Sequence, residues 1–590
     1  GWNIVADGAM RNSTAKTAYS MTPVYYYDVN DEPFIRNSDY GTTSYVYDGY
    51  SRQNYYALNI FTDYTRSFGL NNFKVLVGMN YELYKNDALY GYGENLTNPD
   101  KIFINQAQDG FETSDTYNHR STAGYFGRLN YDYDGRYMLE ANIRYDGSSR
   151  FLANRRWKWF PSFSAGWNIA KEAFFHENIS KISTLKLRAS WGQLGNTSSE
   201  YNSFWDWYPF YQQQSFGANN SAWLVNGAQM NTASLPAIIN GLMTWETIES
   251  WNIGLDFAAL NNRLTGSFDW FTRTTKDMIG PAMIMGGVLG TDAPRTNNCD
   301  MRTSGWEFEI GWRDRIGKVS YEARFNISDN TSKILSYPYE GEFSAQSVTG
   351  YYNGKKLGEQ WGYTTEGIAQ TDEQMAAWLE NNKPNWGSNW QAGDIMYRDL
   401  NGDGEVTSGS GTLENHGDLT VIGNTTPRYR FGLNLGAQWN GFDASFFFQG
   451  VMKRDWFFGG GDPYFWGAAG GVWQSAAFEE HMDYWTEDNP NAYYPRPYFN
   501  TDKNRQVQSR YKQDASYLRC KNFQFGYTLP ANVIRHAGLS NCRLYVSCDN
   551  LFTITSMSSV FDPEALSGGW GSGKLYPLQR TWSVGLNLSF

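Results

Sequence analysis

The chain has 590 residues, of which 41% are hydrophobic and 17% aromatic, and its mean hydropathy is −0.58. No apolar run in the sequence approaches the roughly 20 residues of a membrane-spanning helix, which excludes a helical membrane protein. The net charge of −11, with lysines and arginines spread along the chain, argues against nucleic acid as a partner.

Segments in which apolar and polar residues alternate follow one another along the chain, and short turns join them in pairs. Val75, Val77 and Met79 belong to one such segment, and strict alternation predicts a β-strand. The pairs Asp134-Gly135 and Asn440-Gly441 each separate two alternating segments, and both are favoured in tight β-hairpins. The chain is therefore predicted to be built from antiparallel hairpins.

The connectors between these segments alternate between short and long. The long ones fall at about 31–52, 84–122, 196–245, 280–300, 336–426, 456–516 and 556–577. Short turns on one side and long loops on the other are typical of an outer-membrane barrel. We predict an all-β fold, a transmembrane antiparallel β-barrel, with roughly 15 firm strands and one or two more near the start.

The last nine residues alternate between large apolar and small polar side chains and end on Phe590. This is the expected ending of a barrel whose last strand closes the sheet. Counting back from it, the earliest candidate segment, around Trp2 to Val5, would run inward, so parity predicts at least one further strand upstream. The absence of Met and of a signal peptide at Gly1 predicts the remainder of a longer exported precursor.

Several sequence blocks occur in one order along most of residues 50–590. They include LEANIRYDGSSRF (139–151), FPSFSAGWNIAKEAFF (160–175), LKLRASWGQLGN (185–196), MRTSGWEFEIGW (301–312) and RLYVSCDNLFTIT (543–555). In sequence and in order, these blocks resemble the SusC/RagA-like TonB-dependent transporters of the Bacteroidetes outer membrane.

The resemblance implies a 22-stranded barrel with an N-terminal plug inside it. It also implies a SusD-like surface lipoprotein as a lid, coupling to the TonB complex through the N-terminal region, and dimers of barrel–lipoprotein pairs. Nothing before residue 50 looks like a plug. We therefore predict that 1–50 hold early barrel strands and an outer loop and that 51–590 form the receptor barrel, with long extracellular loops at 196–245, 336–426 and 456–516. The plug and the N-terminal strands are predicted to be missing from this chain.

One acidic segment matches the first half of a calcium-binding loop. Oxygen ligands stand at its first, third and fifth positions and Gly404 at its sixth, whereas Ser410 replaces the usual glutamate at its twelfth. The candidate calcium ligands are Asp399, Asn401, Asp403, Glu405 and Asp418. The competing interpretation is a turn held by bonds from side chains to the backbone. The predicted function requires no cofactor.

Aromatic residues cluster in the predicted loops and are candidates for stacking on a substrate. The candidate substrate-binding residues are Trp205, Trp207, Trp361, Trp456, Trp466 and Trp485. Two other roles compete with substrate contact: a girdle at the membrane interface, and a loop core or lipoprotein interface.

The sequence thus predicts a bacterial outer-membrane importer of oligosaccharides or peptides that captures its substrate with a SusD-like lipoprotein and is energised by TonB. The alternatives are a passive pore or assembly scaffold and, less favoured, an outer-membrane hydrolase. Loop acids such as Asp372, Glu480 and Asp483 resemble paired glycosidase carboxylates, but a solvated loop explains them more simply. The chain is therefore predicted not to be an enzyme.

Overall fold

The computed structural model describes all residues except 24, 36–42, 99–100, 180, 198–206, 213, 215, 219–223, 226–227, 230, 234, 237, 283–287, 289, 292, 339–346, 471–476, 500–501 and 567–574. Within the described residues, 16 long strands form one antiparallel sheet and follow one another in chain order. The predicted all-β fold is confirmed.

We number the strands of this sheet β1 to β16. The first eight are β1 Trp2–Met21, β2 Tyr45–Phe68, β3 Asn71–Glu94, β4 Asp109–Tyr133, β5 Tyr137–Ser148, β6 Trp157–Asn168, β7 Ile182–Asn196 and β8 Glu246–Ala259. The second eight are β9 Leu264–Gly280, β10 Thr296–Ile316, β11 Val319–Ser336, β12 Arg428–Trp439, β13 Phe442–Lys453, β14 Tyr517–Thr528, β15 Asn541–Thr555 and β16 Thr581–Ser589.

The remaining elements are short and lie in the connectors. Two-stranded pairs join Tyr25–Tyr27 to Pro33–Ile35, Phe216–Ala218 to Asn231–Ala233, Leu224–Val225 to Ala228–Gln229, Glu359–Tyr363 to Leu419–Asn424, Thr365–Ile368 to Ile395–Tyr397, Lys383–Pro384 to Glu405–Val406, and Asp455–Trp456 to Gln513–Asp514. The α-helices are Ala173–His176, Asp372–Leu379 (α1), Pro463–Trp466 and Ala531–Ile534. Among the described residues, no helix has the length and apolar character needed to cross a bilayer.

The predicted hairpin turns lie where the sequence placed them. Asp134 and Gly135 have φ values of 55° and 60°, and Asn440 and Gly441 have values of 47° and 88°. Positive φ at both central residues is the geometry of a tight turn whose twist matches the flanking strands. Aspartate, asparagine and glycine tolerate this geometry, which explains their use at these turns.

The predicted direction of the first segment is wrong. Trp2 to Val5 do not form a separate inward strand, because the same strand continues to Met21 and pairs residue by residue with β2. β1 leads directly into the long connector 22–44. Because the long connectors are the outer loops, β1 runs outward. β2 also passes through residue 50, whereas the division of the chain at that residue stays a prediction.

The chain divides into two compact units, and the first comprises Gly1–Ala165, Gly192–Ile248 and Met285–Asn297. Its long strands β2, β3 and β4 have 24, 24 and 25 residues. At about 3.3 Å per residue and a tilt of roughly 40°, such strands rise about 60 Å, far more than an apolar band of roughly 25 Å. These hairpins therefore extend well beyond the thickness of a membrane.

The second unit comprises Gly166–Trp191, Glu249–Ile284 and Asn298–Phe590. Its strands β12, β13 and β14 have only 12 residues each. By the same geometry they rise about 30 Å, close to the thickness of a membrane. In this unit, the residues that follow the short strands form connectors that fold against one another.

Large apolar side chains are exposed along one face of the strands. On β16, Trp582, Val584 and Leu586 are 58%, 86% and 54% exposed. On β5, Leu139 and Ile143 are exposed, and the polar residues between them belong to the opposite face. The alternation seen in the sequence is thus an apolar outer face and a polar face behind it.

The connectors of the second unit enclose a hydrophobic cluster, which we call the loop core. It consists of Tyr363, Ile368, Ala369, Met375, Trp378, Ala392, Ile395, Met396, Tyr397, Val406, Phe458, Phe465, Trp466, Trp485, Ala492, Tyr494, Tyr511, Ala515, Met557, Phe561 and Leu566. Tyr397, Phe465 and Ile395 are completely buried. The connectors are therefore a folded body with an interior of their own.

Helix α1 shows how local sequence builds this core. The Thr371 hydroxyl accepts a hydrogen bond of 3.1 Å from the backbone N–H of Gln374, while the Gln374 side chain accepts one of 2.7 Å from Gln370. These two hydrogen bonds fix the start of the helix. Met375 and Trp378, which are three residues apart, lie on one side of the helix and are buried in the core.

Candidate functional site

The polar face of the strands in the second unit carries paired charges. The Arg188 guanidinium on β7 lies 2.8 Å from the Asp256 carboxylate on β8 and 2.9 Å from the Asp269 carboxylate on β9. The Lys276 ammonium lies 2.7 Å from Glu249. Each cation lies between or beside carboxylates of neighbouring strands, so this face is strongly polar and its charges are paired. It suits the water-filled interior of a barrel.

A row of tyrosines crosses β1, β2 and β3 near their ends at the long connectors. The rings of Tyr19 and Tyr47 stack with centroids 4.6 Å apart and planes 9° apart. The rings of Tyr47 and Tyr90 lie 5.1 Å apart at 26°. Tyr45 and Tyr92 extend the row, with ring centroids 5.5 Å apart. Stacked, partly exposed rings offer flat surfaces to a ligand.

Sequence reasoning missed this tyrosine row because its members come from three strands. The strand register brings them together, with Tyr19 opposite Tyr47 and Tyr47 opposite Tyr92. The alternating pairs Tyr45/Tyr47 and Tyr90/Tyr92 were the available signal, since residues two apart share one face of a strand.

Two of the candidate tryptophans belong to the connector between β7 and β8. Trp207 stacks on Tyr84 of β3 with centroids 5.6 Å apart and planes 17° apart. The Arg120 guanidinium lies 5.5 Å from the Trp207 ring. Trp207 is thus brought into an aromatic and cationic cluster on the strands, whereas Trp205 lies outside the described residues.

Trp361 and Trp456 are partly exposed, and Trp456 packs against the loop core. The Trp361 indole N–H lies 3.1 Å from the Tyr352 hydroxyl and 3.2 Å from a Glu359 carboxylate oxygen. The Arg454 guanidinium lies 4.9 Å from the Trp456 ring. Both rings are fixed by neighbours and still present some surface, so contact with a substrate stays a prediction for them.

Trp466 and Trp485 are members of the loop core and are only 5% and 2% exposed. The Trp466 indole N–H donates to the Gly459 carbonyl at 3.0 Å, and that of Trp485 donates to Gln370 at 3.1 Å. A Cβ on Gly393, whose φ is 92°, would clash with the Trp485 ring. Both rings are structural parts of the loop core. Their contact with a substrate also stays a prediction.

Two buried tyrosines of the loop core keep their hydroxyl protons. Burial raises the pKa of Tyr363 to about 12 and that of Tyr494 still higher. Both hydroxyls therefore remain protonated at physiological pH and can act as hydrogen-bond donors.

A buried ion pair ties two of the long connectors together. The Lys503 ammonium lies 2.8 Å from the Asp394 carboxylate, and the two side chains are 3% and 0% exposed. The ammonium also donates to the Ser388 and Asn389 carbonyls, and the carboxylate accepts 2.9 Å from the Asn504 amide. A charge pair removed from water is stable only when its remaining hydrogen bonds are satisfied in this way.

The loop acids that could resemble a hydrolase pair are used in folding. Asp372 accepts the Ala392 N–H at 2.8 Å, and Glu480 accepts the Ser559 N–H at 3.0 Å. Asp483 accepts the amide of Asn489 at 3.0 Å. Asp483 thus holds a local turn, whereas Asp372 and Glu480 join segments that are distant in sequence.

The carboxylates of the calcium-like loop accept backbone hydrogen bonds. Asp399 accepts the N–H groups of Gly402 at 2.6 Å and Gly404 at 2.9 Å. Asp418 is completely buried and accepts those of Leu400 at 2.7 Å and Thr407 at 2.8 Å. Burial acts to raise the pKa of Asp399, but the backbone N–H groups outweigh it, so the pKa is lowered.

The fit of this loop to a cation is partial. Asp403 bonds to the Glu405 N–H at 2.8 Å and to the Asn401 side chain at 2.9 Å, so the three candidates share one turn. Within the part of the chain that the structure describes, no three His, Cys, Asp or Glu side chains are grouped closely enough to hold a metal ion. Calcium binding by Asp399, Asn401, Asp403, Glu405 and Asp418 stays a prediction.

A family model described as "TonB dependent receptor-like, beta-barrel" matches residues 6–551 of the chain. The chain is 29% identical to TonB-dependent receptor P3 of Formosa agariphila over 556 residues, covering 89% of the chain and 51% of that protein. It is 27% identical to TonB-dependent receptor SusC of Bacteroides thetaiotaomicron over 568 residues, covering 93% of the chain and 52% of SusC. The chain thus spans about half the length of the curated relatives it matches.

The fold is also similar to that of a solved structure, the RagAB peptide transporter. The TM-score is 0.76 at 21% sequence identity, and the match covers 100% of this chain and 60% of the other. At this identity the likeness concerns the fold alone.

Proposed function

Because this chain belongs to the TonB-dependent receptor-like β-barrel family, we propose that it is the barrel portion of an active importer in the bacterial outer membrane. Its cargo is an oligosaccharide or a peptide, captured with a SusD-like surface lipoprotein and admitted when TonB acts on the N-terminal part of the full-length protein. The observation that carries this proposal is the sheet, which has an apolar exposed face, a polar charge-paired face and long folded connectors.

Each part of the sheet supports one part of the proposal. The exposed apolar side chains supply the surface that lipid requires. The paired charges of Arg188 and its two aspartates supply a hydrated inner surface. The row that includes Tyr19 and Tyr47 offers stacking surfaces for sugar rings or for apolar side chains.

The folded connectors support capture at the surface. The loop core contains more than 20 buried residues from several connectors. A folded body of this kind gives a partner lipoprotein a defined surface on which to close. The name of RagAB includes peptide transport, and the name of SusC marks it as a TonB-dependent receptor; both are consistent with an importer.

The proposal is tested by uptake in cells that express the full-length protein. Fluorescently labelled oligosaccharides and peptides, each too large for a porin, are supplied with and without an uncoupler of the proton gradient. We expect one class to accumulate only in energised cells, and its uptake to fall to the level of cells lacking the protein after uncoupling. Equal uptake before and after uncoupling would favour the passive pore.

The partner and the cargo are tested by purification from the outer membrane. Mass spectrometry of the full-length protein in mild detergent should identify a surface lipoprotein in near-equal amount together with a trapped oligomer. A matched variant, Arg398→Gln, changes an exposed loop arginine paired with Glu366 at 3.8 Å and should retain both. Recovery of the protein without any lipoprotein would contradict the capture mechanism.

A further inference from the structure

A small cavity opens beside the loop core, between the end of the connector helix Pro463–Trp466 and residues 494–498 and 504–505. Its volume is about 170 Å³. Aromatic rings and prolines form a large part of its wall: Trp466, Tyr484, Tyr494, Pro495, Pro497 and Tyr498. An apolar cavity of this size has room for one benzene-sized ring.

The charged groups of this cavity are all basic. Arg496 and Arg505 line it, and no aspartate or glutamate is among the described residues of its wall. The Arg496 guanidinium lies 5.0 Å from the Trp485 ring, which holds it in place. Arg505 is 9% exposed, donates to the Gly460 carbonyl and lies 4.0 Å from the Asp502 carboxylate, which offsets part of its charge, so Arg496 is the main cation of the wall. The cavity therefore combines an apolar wall with a positive charge.

His481 adds a ring edge to the wall and no charge. Its Nδ1 accepts the N–H of Phe478 at 2.9 Å, and its Nε2 lies 3.1 Å from the Phe465 carbonyl. The carbonyl can only accept, so this pattern assigns the proton to Nε2 and leaves the ring neutral. The positive charge of the cavity thus comes from its arginines.

The Tyr494 hydroxyl is the second polar group available to a ligand. The residue is only 7% exposed, and its ring lies 5.3 Å from that of His481. Tyr494 lines the cavity and burial raises the pKa of its hydroxyl, so the hydroxyl stays protonated and can donate a hydrogen bond to a ligand.

We propose that this cavity binds an apolar ring or side chain that carries a carboxylate. The apolar part lies against Trp466 and Tyr494, and the carboxylate is held by the Arg496 guanidinium, whose planar fork matches two carboxylate oxygens. The C-terminal residue of a peptide and an acidic sugar ring share this chemistry. Binding at this cavity does not depend on transport, so its failure would leave the importer proposal standing, and the reverse also holds.

The first test uses the unmodified full-length protein in detergent and follows tryptophan fluorescence. 3-Phenylpropionate carries both features of the proposed ligand, and 3-phenylpropanamide lacks only the charge. We expect saturable binding of the acid at one site and at least about tenfold weaker binding of the amide, since charged hydrogen bonds are the stronger ones. Equal affinities, or no saturable binding of the acid, would overturn the proposal.

Two variants locate the site. Arg496→Gln should reduce the affinity for 3-phenylpropionate to that for the amide. Tyr494→Phe keeps the aromatic ring and should reduce the affinity for 3-phenylpropionate by about threefold to tenfold. Arg398→Gln, an exposed arginine outside the cavity, serves as the matched control and should bind normally. If tryptophan fluorescence shows that the loop core of Arg496→Gln is folded, an unchanged affinity of this variant would contradict the assignment. If Arg496→Gln disturbs that fluorescence, the Tyr494→Phe result decides.

Two further probes distinguish the natural sources. N-acetyl-L-phenylalanine represents the end of a peptide, and methyl glucuronide represents an acidic sugar. Tighter binding of one of them, lost in Arg496→Gln, identifies that source. If neither binds, the cavity does not serve a carboxylate ligand of either kind and the proposal fails.

Discussion

The sheet and the loop core use the same kinds of side chain in opposite ways. On the strands, large apolar residues such as Trp582 and Val584 are exposed along one face. In the loop core, Phe465 and Tyr397 are completely buried among one another. The aromatic share of 17% therefore serves two surroundings, lipid around the strands and a protein interior in the connectors.

Because of this difference, the two regions place their charged side chains differently. The strands keep their charges on the inner face, where water can reach pairs such as Arg188 and Asp256. The loop core buries a charge pair, Lys503 and Asp394, and surrounds it with hydrogen bonds. The comparison can be tested by changing one side chain in each region.

The largest effect is expected from breaking the buried ion pair. Lys503→Met leaves the Asp394 carboxylate buried without its cation, which should cost about 3–5 kcal/mol of loop-core stability. Thermal unfolding followed by tryptophan fluorescence measures this. Far-UV circular dichroism should show that the sheet remains.

Lys512→Met is the matched control for this variant. The Lys512 ammonium lies 3.9 Å from Asp455 on a side chain that is 41% exposed, so its loss should cost about 1 kcal/mol or less. Equal effects of the two lysine variants would contradict a folded interior in the connectors.

The next largest effect is expected on the apolar face of the strands. Val584 lies near the middle of β16 and is 86% exposed. Val584→Arg should destabilise the protein by about 2–4 kcal/mol in a bilayer, because a charge would face lipid. Denaturant unfolding in lipid vesicles measures this change.

Asn587→Arg places the same charge on the opposite face of β16 and should change the stability by about 0.5 kcal/mol or less. If both variants of this strand were tolerated equally, the exposed apolar face would not be a lipid surface.

A smaller effect is expected at the base of the calcium-like loop. Asp418→Asn keeps the size of the buried side chain but removes the charge that accepts the N–H groups of Leu400 and Thr407. The stability of the loop should fall by about 1–3 kcal/mol, and the effect should be confined to residues 399–418. Hydrogen exchange should report faster exchange at those two amides, with unchanged exchange in the strands as the control.

Acid should open the same loop in a defined pH range. The pKa of Asp399 is lowered in the folded loop, so its stabilisation is fully present above the ordinary aspartate pKa of about 3.9 and is lost as the pH falls through the folded value. Protection of the Gly402 and Gly404 amides should therefore persist at pH 5 and disappear only below about pH 4. Asp399→Asn should lack this acid step, and loss of protection already near pH 6 would contradict the assignment.

The smallest effect concerns the cation itself. If calcium binds at Asp399, Asn401 and Asp403, removing it with a chelator should raise the protease sensitivity of 399–418, and added calcium should restore the protection. Asp403→Asn should abolish this calcium response. Equal cleavage with and without chelator would contradict the calcium prediction and leave the backbone bonds as the whole support of the loop.

The sheet was largely predictable from sequence, because alternation and turn residues are local signals. Asp134-Gly135 and Asn440-Gly441 mark hairpins by their own backbone preferences. The predicted direction of the first strand was wrong because most of residues 6–21 are small or polar, and their alternation is too weak to show that the strand continues.

The candidate site was much less predictable, because its contacts join residues far apart in the chain. Lys503 and Asp394 lie in two different connectors, and Tyr19 and Tyr90 lie on β1 and β3, with β2 between them. The sequence placed Trp466 and Trp485 in aromatic loops, but whether their rings face a ligand or a core depends on packing that no local pattern encodes.

The most direct test of the two surroundings is the accessibility of spin labels on exposed positions. All four native cysteines are buried, so labels can be directed to Val584→Cys on β16 and to Met482→Cys, a loop residue that is 68% exposed. In lipid vesicles, we expect the label at 584 to collide with dissolved oxygen and to be shielded from a water-soluble nickel chelate. The label at 482 should show the reverse. Similar access of the nickel chelate to both labels would contradict the account.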